Sequence, residues 1–408
     1  MLSKSTIYSY LFLFSLFPGM VIGLHYVMFT DEFICMLFFA FALLECLKEG
    51  LEAIRRHTPL FILLGIMAFY VLYSIFFVHY NSPRYIISDL ISQFKPFVPF
   101  LVIRSMGLDI REKYKPVAKV FCIINAVLMI VFFVISRGQL MLPFGHIAHL
   151  GGICLISSMY YLYCSMDDRG EVSIRDLCIG IAIITIGLLC GRSKFFGQYI
   201  CFMMLLIFYR PGMFRQITFG RFLIILSVLL LMVIVAWSKI QYYFVQGVAD
   251  MLQKESLEAF GDSFARPILY VTGGQILVDH FPFGSGLASF ASGASADNYS
   301  SLYYEYGLDK VWGLSPEAPS FVCDAYYPTL CQFGIVGLGV FIWFWRWVLQ
   351  MLAAKDSLFE EKFKLSYIIG LTLIAFVLIE SIGGTNFLSP TGLSAMLILG
   401  MLTRKEVN

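Results

Sequence analysis

Apolar runs long enough to cross a bilayer follow one another along almost the whole chain, and only one polar interruption is long enough to fold by itself. A spanning α-helix needs about 20 predominantly apolar residues, because hydrocarbon offers no water to the backbone polar groups. Such runs lie near 6–27, 32–47, 59–79, 86–103, 116–136, 147–164, 174–190, 194–209, 218–238, 326–348, 364–383 and 387–403. The 408 residues are 59% hydrophobic and 14% charged, against roughly 45–50% and about 25% in soluble domains. The pattern predicts an all-α polytopic membrane protein of about twelve transmembrane helices with one large outer loop containing short helices. It divides into 1–238 (helices one to nine), 239–325 (the loop) and 326–408 (helices ten to twelve), together one integral membrane domain. Lys4 followed by an apolar run from Ile7 looks like a signal sequence, but no small-x-small cleavage site follows, so a retained first span is expected.

Lys and Arg resist translocation, so their distribution sets the orientation. Twenty fall in the segments on the N-terminal side and eight on the opposite side, with Lys95 inside a span. Both termini are therefore expected in the cytoplasm and the loop from Lys239 to Cys323, 85 residues, outside. Within it, Gln241 to Phe260 reads as an amphipathic helix suited to the headgroup layer. Asp262 and Ser263 offer an N-cap for a second helix with Pro267 in its first turn. Nine of the ten cysteines sit in or beside apolar runs, only Cys323 borders the loop, and no CxxC or metal-ligand spacing occurs. Packing thiols, no metal and no cofactor are expected.

Few residues offer chemistry. Arg192 and Lys194 occupy the short outer turn Cys190-Gly191-Arg192-Ser193-Lys194, where an arginine fork suits phosphate oxygens; snorkelling to headgroups is the plainer account. Arg266 opens the second loop helix and has Asp262 nearby as a surface partner. Asp324 stands just before the tenth span, where it can cap that helix, act as an acid or base, or do both. Glu305 and Glu317 are further loop carboxylates, read as solvated on position alone. Asp89, Lys95 and Glu380 lie within spans and should face the bundle interior. Lys95 precedes Pro96, which predicts a kink, and a structural pair of Lys95 with Asp89 or Glu380 explains these charges as well as a proton relay does. His25, His146 and His149 read as packing or interfacial residues, and His280 lies far upstream of Asp324.

In this arrangement the chain resembles the O-antigen polymerase and O-antigen ligase superfamily. Three motifs carry the resemblance: Gly191-Arg192-Ser193-Lys194; the stretch from Arg266 through Pro282-Phe-Gly284-Ser-Gly286; and Asp324-Ala-Tyr-Tyr-Pro running into Gly334-Ile-Val-Gly337. Ligases of that family typically carry a histidine just before the post-loop span. This chain has Asp324 there, so the resemblance is to the Wzy-type polymerase.

The resemblance implies a glycosyltransferase of lipopolysaccharide biosynthesis in the bacterial inner membrane, joining undecaprenyl-diphosphate-linked oligosaccharide units on the periplasmic face. It implies Arg192 and Arg266 on the diphosphate, with Lys194 assisting, and Asp324 on the acceptor hydroxyl. Gly284, Gly286, Tyr303, Tyr304 and Glu305 fall to substrate binding, the tyrosines as stacking surface for sugars. Membrane lipids and a polysaccharide chain-length regulator are the implied partners, and no nucleic acid is. Two alternatives stand beside it: a ligase that transfers polymer to lipid A core, and a non-enzymatic flippase or transporter, which would need inverted repeats and midplane charge that the sequence does not display.

Overall fold

The computed structural model describes residues 4–16, 30–107, 111–142, 145–167, 170–211, 265–356 and 364–404, with isolated positions between 220 and 241. The expected ninth span lies almost wholly, and the expected amphipathic helix at 241–260 and the cap at Asp262 and Ser263 wholly, outside the described residues. What is described is almost entirely helical, with a single antiparallel pair of two-residue strands, β1 (Met141–Leu142) and β2 (Gly145–His146).

In chain order the helices are α1 (Lys4–Leu16), α2 (Thr30–Glu49), α3 (Leu51–Arg56), α4 (Thr58–Tyr73), α5 (Pro83–Phe94), α6 (Phe97–Met106), α7 (Arg111–Ile135), α8 (Ala148–Ser165), α9 (Ile174–Ile186) and α10 (Ser193–Phe208). After the gap come α11 (Ala265–Asp279), the short α12 (Gly293–Asp297) and α13 (Ser301–Glu305), then α14 (Gly334–Asp356), α15 (Lys364–Glu380) and α16 (Pro390–Leu402). Among the described residues, three continuous helical stretches are long and apolar enough to cross a membrane: Thr58–Val78, Tyr114–Ile135 and Tyr327–Ala354. The pair α5 and α6 makes a fourth if it counts as one broken span; it bends by 46°. The break falls at Lys95-Pro96, where the missing N–H and the ring of proline interrupt the helical ladder. The expected spans at 194–209 and 387–403 appear as the shorter apolar helices α10 and α16.

Burial separates a core from a lipid-compatible rim. From Leu150 to Ser165 every residue of α8 is buried, and so is every residue of α16. The long helices are the reverse: Ile62, Phe76, Phe77, Val134, Ile342 and Trp343 are all exposed. So much large apolar side chain turned outward marks a surface that lipid, rather than water, covers.

The long loop folds onto the helices as a second small core. Ile268, Leu269, Ile276, Phe290, Leu302, Tyr303, Val311 and Leu314 pack together. Its backbone is fastened to α4 and α5 by specific donors and acceptors. Tyr73 donates to the Gly284 carbonyl (3.0 Å), the Leu287 N–H donates to Ser74 Oγ (2.8 Å), and Asn81 donates to the Ala288 carbonyl (2.8 Å). Asp89 is buried and accepts from the Ala288 N–H (2.7 Å) and from Gln93 (3.1 Å). Its role is to hold this loop, and it makes no pair with Lys95. Lys95 instead reaches back to the start of α2, at 2.6 Å from Asp31 and 2.5 Å from Glu32.

The segment after the loop also departs from expectation. A 3₁₀ turn, Tyr327–Phe333, precedes α14 and its N-cap position is Tyr326. Asp324 therefore caps no helix, and its carboxylate is used elsewhere.

Gly284 and Gly286, expected to touch substrate, are pressed against protein instead. Gly284 has φ +84°, and a Cβ there would stand 2.3 Å from both the Cys331 carbonyl oxygen and the Gly334 nitrogen. Gly286 has φ +80°, and its Cβ would stand 2.9 Å from Ser74 Oγ. Gly284→Ala is expected to destabilise the protein in detergent by at least about 1–3 kcal/mol, the scale of local backbone strain. Gly274, in α11 with nothing within 4 Å of an added Cβ, should tolerate alanine or gain slightly. Thermal unfolding followed by tryptophan fluorescence checks the pair, and equal midpoints for the two variants would contradict the packing described.

Candidate functional site

The turn before α10 is built by its glycine. Gly187–Cys190 closes as a 3₁₀ turn, Gly191 at φ 62° terminates it, and Arg192 is the N-cap residue of α10. This reversal places Arg192 and Lys194 at the start of a helix whose inner face carries the buried Gln198. Lys194 reaches α15, where Nζ donates to Glu380 Oε2 (2.7 Å) and to the Gly383 carbonyl (2.9 Å). Glu380 also accepts from Gln198 (3.1 Å) and Asn386 (2.9 Å). The expected span-embedded carboxylate is thus the anchor of Lys194.

Arg266, in the first turn of α11, arrives at the same place from the loop. Its guanidinium donates to Asp324 Oδ2, and a Cβ on Gly383 would stand 3.2 Å from its Cζ. Tyr270, one turn further along α11, donates to the Ile382 carbonyl (2.8 Å), and the Tyr326 N–H donates to the Ser381 carbonyl (3.1 Å). The turn 381–384 after α15 is therefore the hub: α10, α11 and the segment 324–326 all dock on it. Gly384 belongs to it too, its added Cβ falling 3.7 Å from Lys194 Nζ.

These groups sense one another. Burial raises the Asp324 carboxyl above its usual range, and Arg266, Lys194 and Arg192 each pull it back down. The two cations expected at the outer turn, the loop arginine and the acid before the tenth span thus share one electrostatic neighbourhood. Asp324 Oδ1 accepts no hydrogen bond from any described residue. Arg192 alone among these cations has no carboxylate partner among the described residues; its Nη2 lies against His146.

Three of the expected substrate-binding residues do other work. Tyr303 is buried, and its hydroxyl accepts from the Ala291 N–H (2.8 Å) and bonds Ser295 (2.8 Å). Its ring stacks on Phe290 inside the loop core, so it offers no face to a sugar. Gly284 and Gly286, as above, serve close packing. Tyr304 is exposed. Glu305 accepts from Tyr80 (3.1 Å), whose hydroxyl also meets His280 Nε2 (3.0 Å). Sequence reading missed Glu380 as the partner of Lys194, and it missed the Ser381-to-Gly384 turn; the pair of glycines followed by Thr385 and Asn386 between two apolar runs was the available signal.

Beside this hub lies an apolar groove of ≈ 550 Å³ between α4, the broken pair α5 and α6, and α14. Phe69, Phe94, Phe97, Phe344, Trp347 and the buried Tyr326 line it. Neither Arg192, Lys194, Arg266 nor Asp324 faces into it. The groove and the charged cluster meet through the segment 324–326.

No family model matches the chain, and no curated protein is significantly similar to it. Among the described residues, no group of three or more His, Cys, Asp and Glu side chains is arranged to hold a metal ion.

The Lys194–Glu380 contact should be an energetic pair. Side-chain exposure is 30% for Lys194 and 9% for Glu380, so solvent screens the lysine in part and the expected coupling is about 1–3 kcal/mol, below that of a fully buried pair. A double-mutant cycle with Lys194→Met and Glu380→Gln, read by unfolding in detergent, measures it. Additive costs would mean that the pair contributes nothing.

Proposed function

We propose that the chain is a membrane glycosyltransferase that extends a surface polysaccharide, joining undecaprenyl-diphosphate-linked oligosaccharide units at the periplasmic face of the bacterial inner membrane. The observation that carries the reading is the convergence of Arg192, Lys194 and Arg266 with Asp324 around the turn 381–384. In this account the chain crosses the membrane about twelve times and the loop 239–325 lies outside, as the Lys and Arg distribution of the sequence supports.

The chemistry follows from the charges. The acceptor sugar's hydroxyl oxygen attacks the anomeric carbon of the donor unit, and the bond from that carbon to the diphosphate oxygen breaks. The electron pair leaves with the diphosphate. Fixed cations in a site poor in water stabilise the charge that develops there. Arg192, which has no carboxylate partner among the described residues, takes the largest share; Arg266 and Lys194, already held by Asp324 and Glu380, are positioned cations that add to the field. Asp324 receives the proton of the hydroxyl, a contribution of about 10²–10⁴ for a well-placed base. Burial favours this, because it raises the carboxyl's affinity for a proton. The aromatic groove beside the site suits the isoprenoid part of the donor, whose diphosphate would then lie toward the segment 324–326.

Arg192→Ala and Arg266→Ala are each expected to abolish chain extension while protein remains in the membrane, leaving single repeat units attached to lipid A core on a polysaccharide gel. Normal chain length from either variant removes that residue from the site. Loss of all attachment, with carrier-linked polymer retained, would mark a ligase instead.

The pH dependence has a definite sign. Asp324 must be ionised to accept a proton, so activity should rise with pH through a value above the ordinary 3.8 of an aspartate. Any residual activity of Arg266→Lys or Arg266→Ala should show this limb moved to higher pH, since Arg266 lowers the carboxyl's proton affinity. Asp324→Asn should remove the limb. An unchanged limb in Asp324→Asn assigns the base to another group.

A further inference from the structure

His146 ends β2 and sits opposite the turn that carries Arg192. Arg192 Nη2 lies 2.7 Å from its Nε2 and 3.1 Å from its Nδ1. The Ala148 N–H also points at Nδ1, at 3.0 Å. A neutral imidazole has one acceptor nitrogen and one N–H. The Ala148 N–H takes the lone pair on Nδ1, so the proton sits on Nε2, where the nearest polar group is the Arg192 guanidinium, itself only a donor. Nothing among the described residues relieves this, because no carboxylate pairs with Arg192. Its neighbours Lys194 and Arg266 each have one.

An anion resolves the conflict. A phosphate oxygen seated beside Arg192 accepts from the guanidinium, and a second oxygen accepts from the imidazole N–H. We infer that His146 and Arg192 form a two-donor clamp for one phosphate group of the donor diphosphate, and that His146 takes up a proton when the clamp is filled. This rests on the functional reading above and adds to it a residue and a proton. Burial and the Arg192 charge hold the empty His146 below its ordinary range, so it is neutral at pH 7. The ionisable group that acts on it is Arg192, from the turn before α10; His149, half-buried in α8, feels His146 and Glu380 in turn. A phosphate placed between ring and guanidinium screens the arginine and favours the imidazolium, which gives binding a charge-assisted bond. His146 in this role is a ligand of the leaving group, separate from Asp324, which serves the acceptor.

The test uses the purified full-length protein and farnesyl-diphospho-N-acetylglucosamine, a diphosphate diester that does not titrate near neutrality. Calorimetry in two buffers of different ionisation heat reads the protons exchanged on binding. Wild type should take up a fraction of a proton per ligand at pH 7.5 and bind more tightly at pH 6 than at pH 8. His146→Gln, which keeps a neutral donor, should take up none, lose the pH dependence and bind about threefold to tenfold more weakly at pH 6. His146→Lys, permanently charged, should restore affinity without restoring the pH dependence. Proton uptake unchanged in His146→Gln, or absent in wild type that does bind, overturns the clamp and leaves the proposed function standing. No binding by wild type overturns both. Inorganic pyrophosphate should compete, since the clamp reads phosphate oxygens. Phosphatidylglycerol nanodiscs should not weaken binding relative to phosphatidylcholine ones; if they abolish it, the seat belongs to a lipid headgroup and the assignment to the donor fails.

Discussion

Charge matching in a medium that holds little water governs this structure. An ionised side chain away from water is tolerated when an opposite charge or several donors meet it. Lys95 is met by Asp31 and Glu32, Glu380 by Lys194, Gln198 and Asn386, and Arg266 by Asp324. Asp89 pairs with no cation among the described residues and is met by the Ala288 N–H and by Gln93. Each pairing also ties segments distant in sequence. Glu380 binds α10 to α15 across 186 positions, and Arg266 binds the loop helix to the segment before α14 across 58. Of Arg192, Lys194 and Arg266, Arg192 alone meets no carboxylate among the described residues, and its guanidinium lies against an imidazole. That leaves it with capacity for an external anion.

The rest of the architecture serves that cluster. The loop core fixes the direction of α11, and with it Arg266, because residues 284–292 are clamped between Tyr73, Ser74, Asp89 and Gln332. The turn 381–384 presents its carbonyls to Lys194, Tyr270 and the Tyr326 N–H, so three segments are held by backbone groups whose positions depend little on side-chain freedom. Precise placement of charge before reaction is what electrostatic catalysis requires. The neighbouring groove is apolar and aromatic, so charged and apolar parts of one amphiphile can be served side by side.

Much of this was legible in the sequence for reasons that can be named. Cations are disfavoured on the translocated side, so Arg192 and Lys194 stood out by position; Arg266 read as a surface arginine on position alone and stood out only through the family resemblance. Asp324 stood out as an acid entering an apolar run, and the break at Lys95-Pro96 followed from proline. Partners were harder. Nothing local links Lys95 to Asp31, 64 positions away, or Lys194 to Glu380; only the packing of helices brings them together. The loop tyrosines misled because a polar, glycine-rich segment conceals a core of its own, and Tyr303 is part of it. Gly284 and Gly286 were singled out as unusual, and the close approach they permit is to the backbone around Cys331 and Gly334 and to Ser74. His146 read as an interfacial residue because its contact with Arg192 joins two turns distant in sequence.

The central claim is that a diphosphate departs from a sugar in the care of Arg192 while a new glycosidic bond forms. The most direct measurement is stoichiometric: purified protein in liposomes, supplied with a labelled polyprenyl-diphosphate oligosaccharide, is assayed for free polyprenyl diphosphate and for glycan length together. One carrier diphosphate released per linkage formed, with both products absent in Arg192→Ala, is the expected result. Glycan transfer that proceeds at the wild-type rate without Arg192, or carrier that crosses the bilayer with its glycan unchanged, would contradict the account.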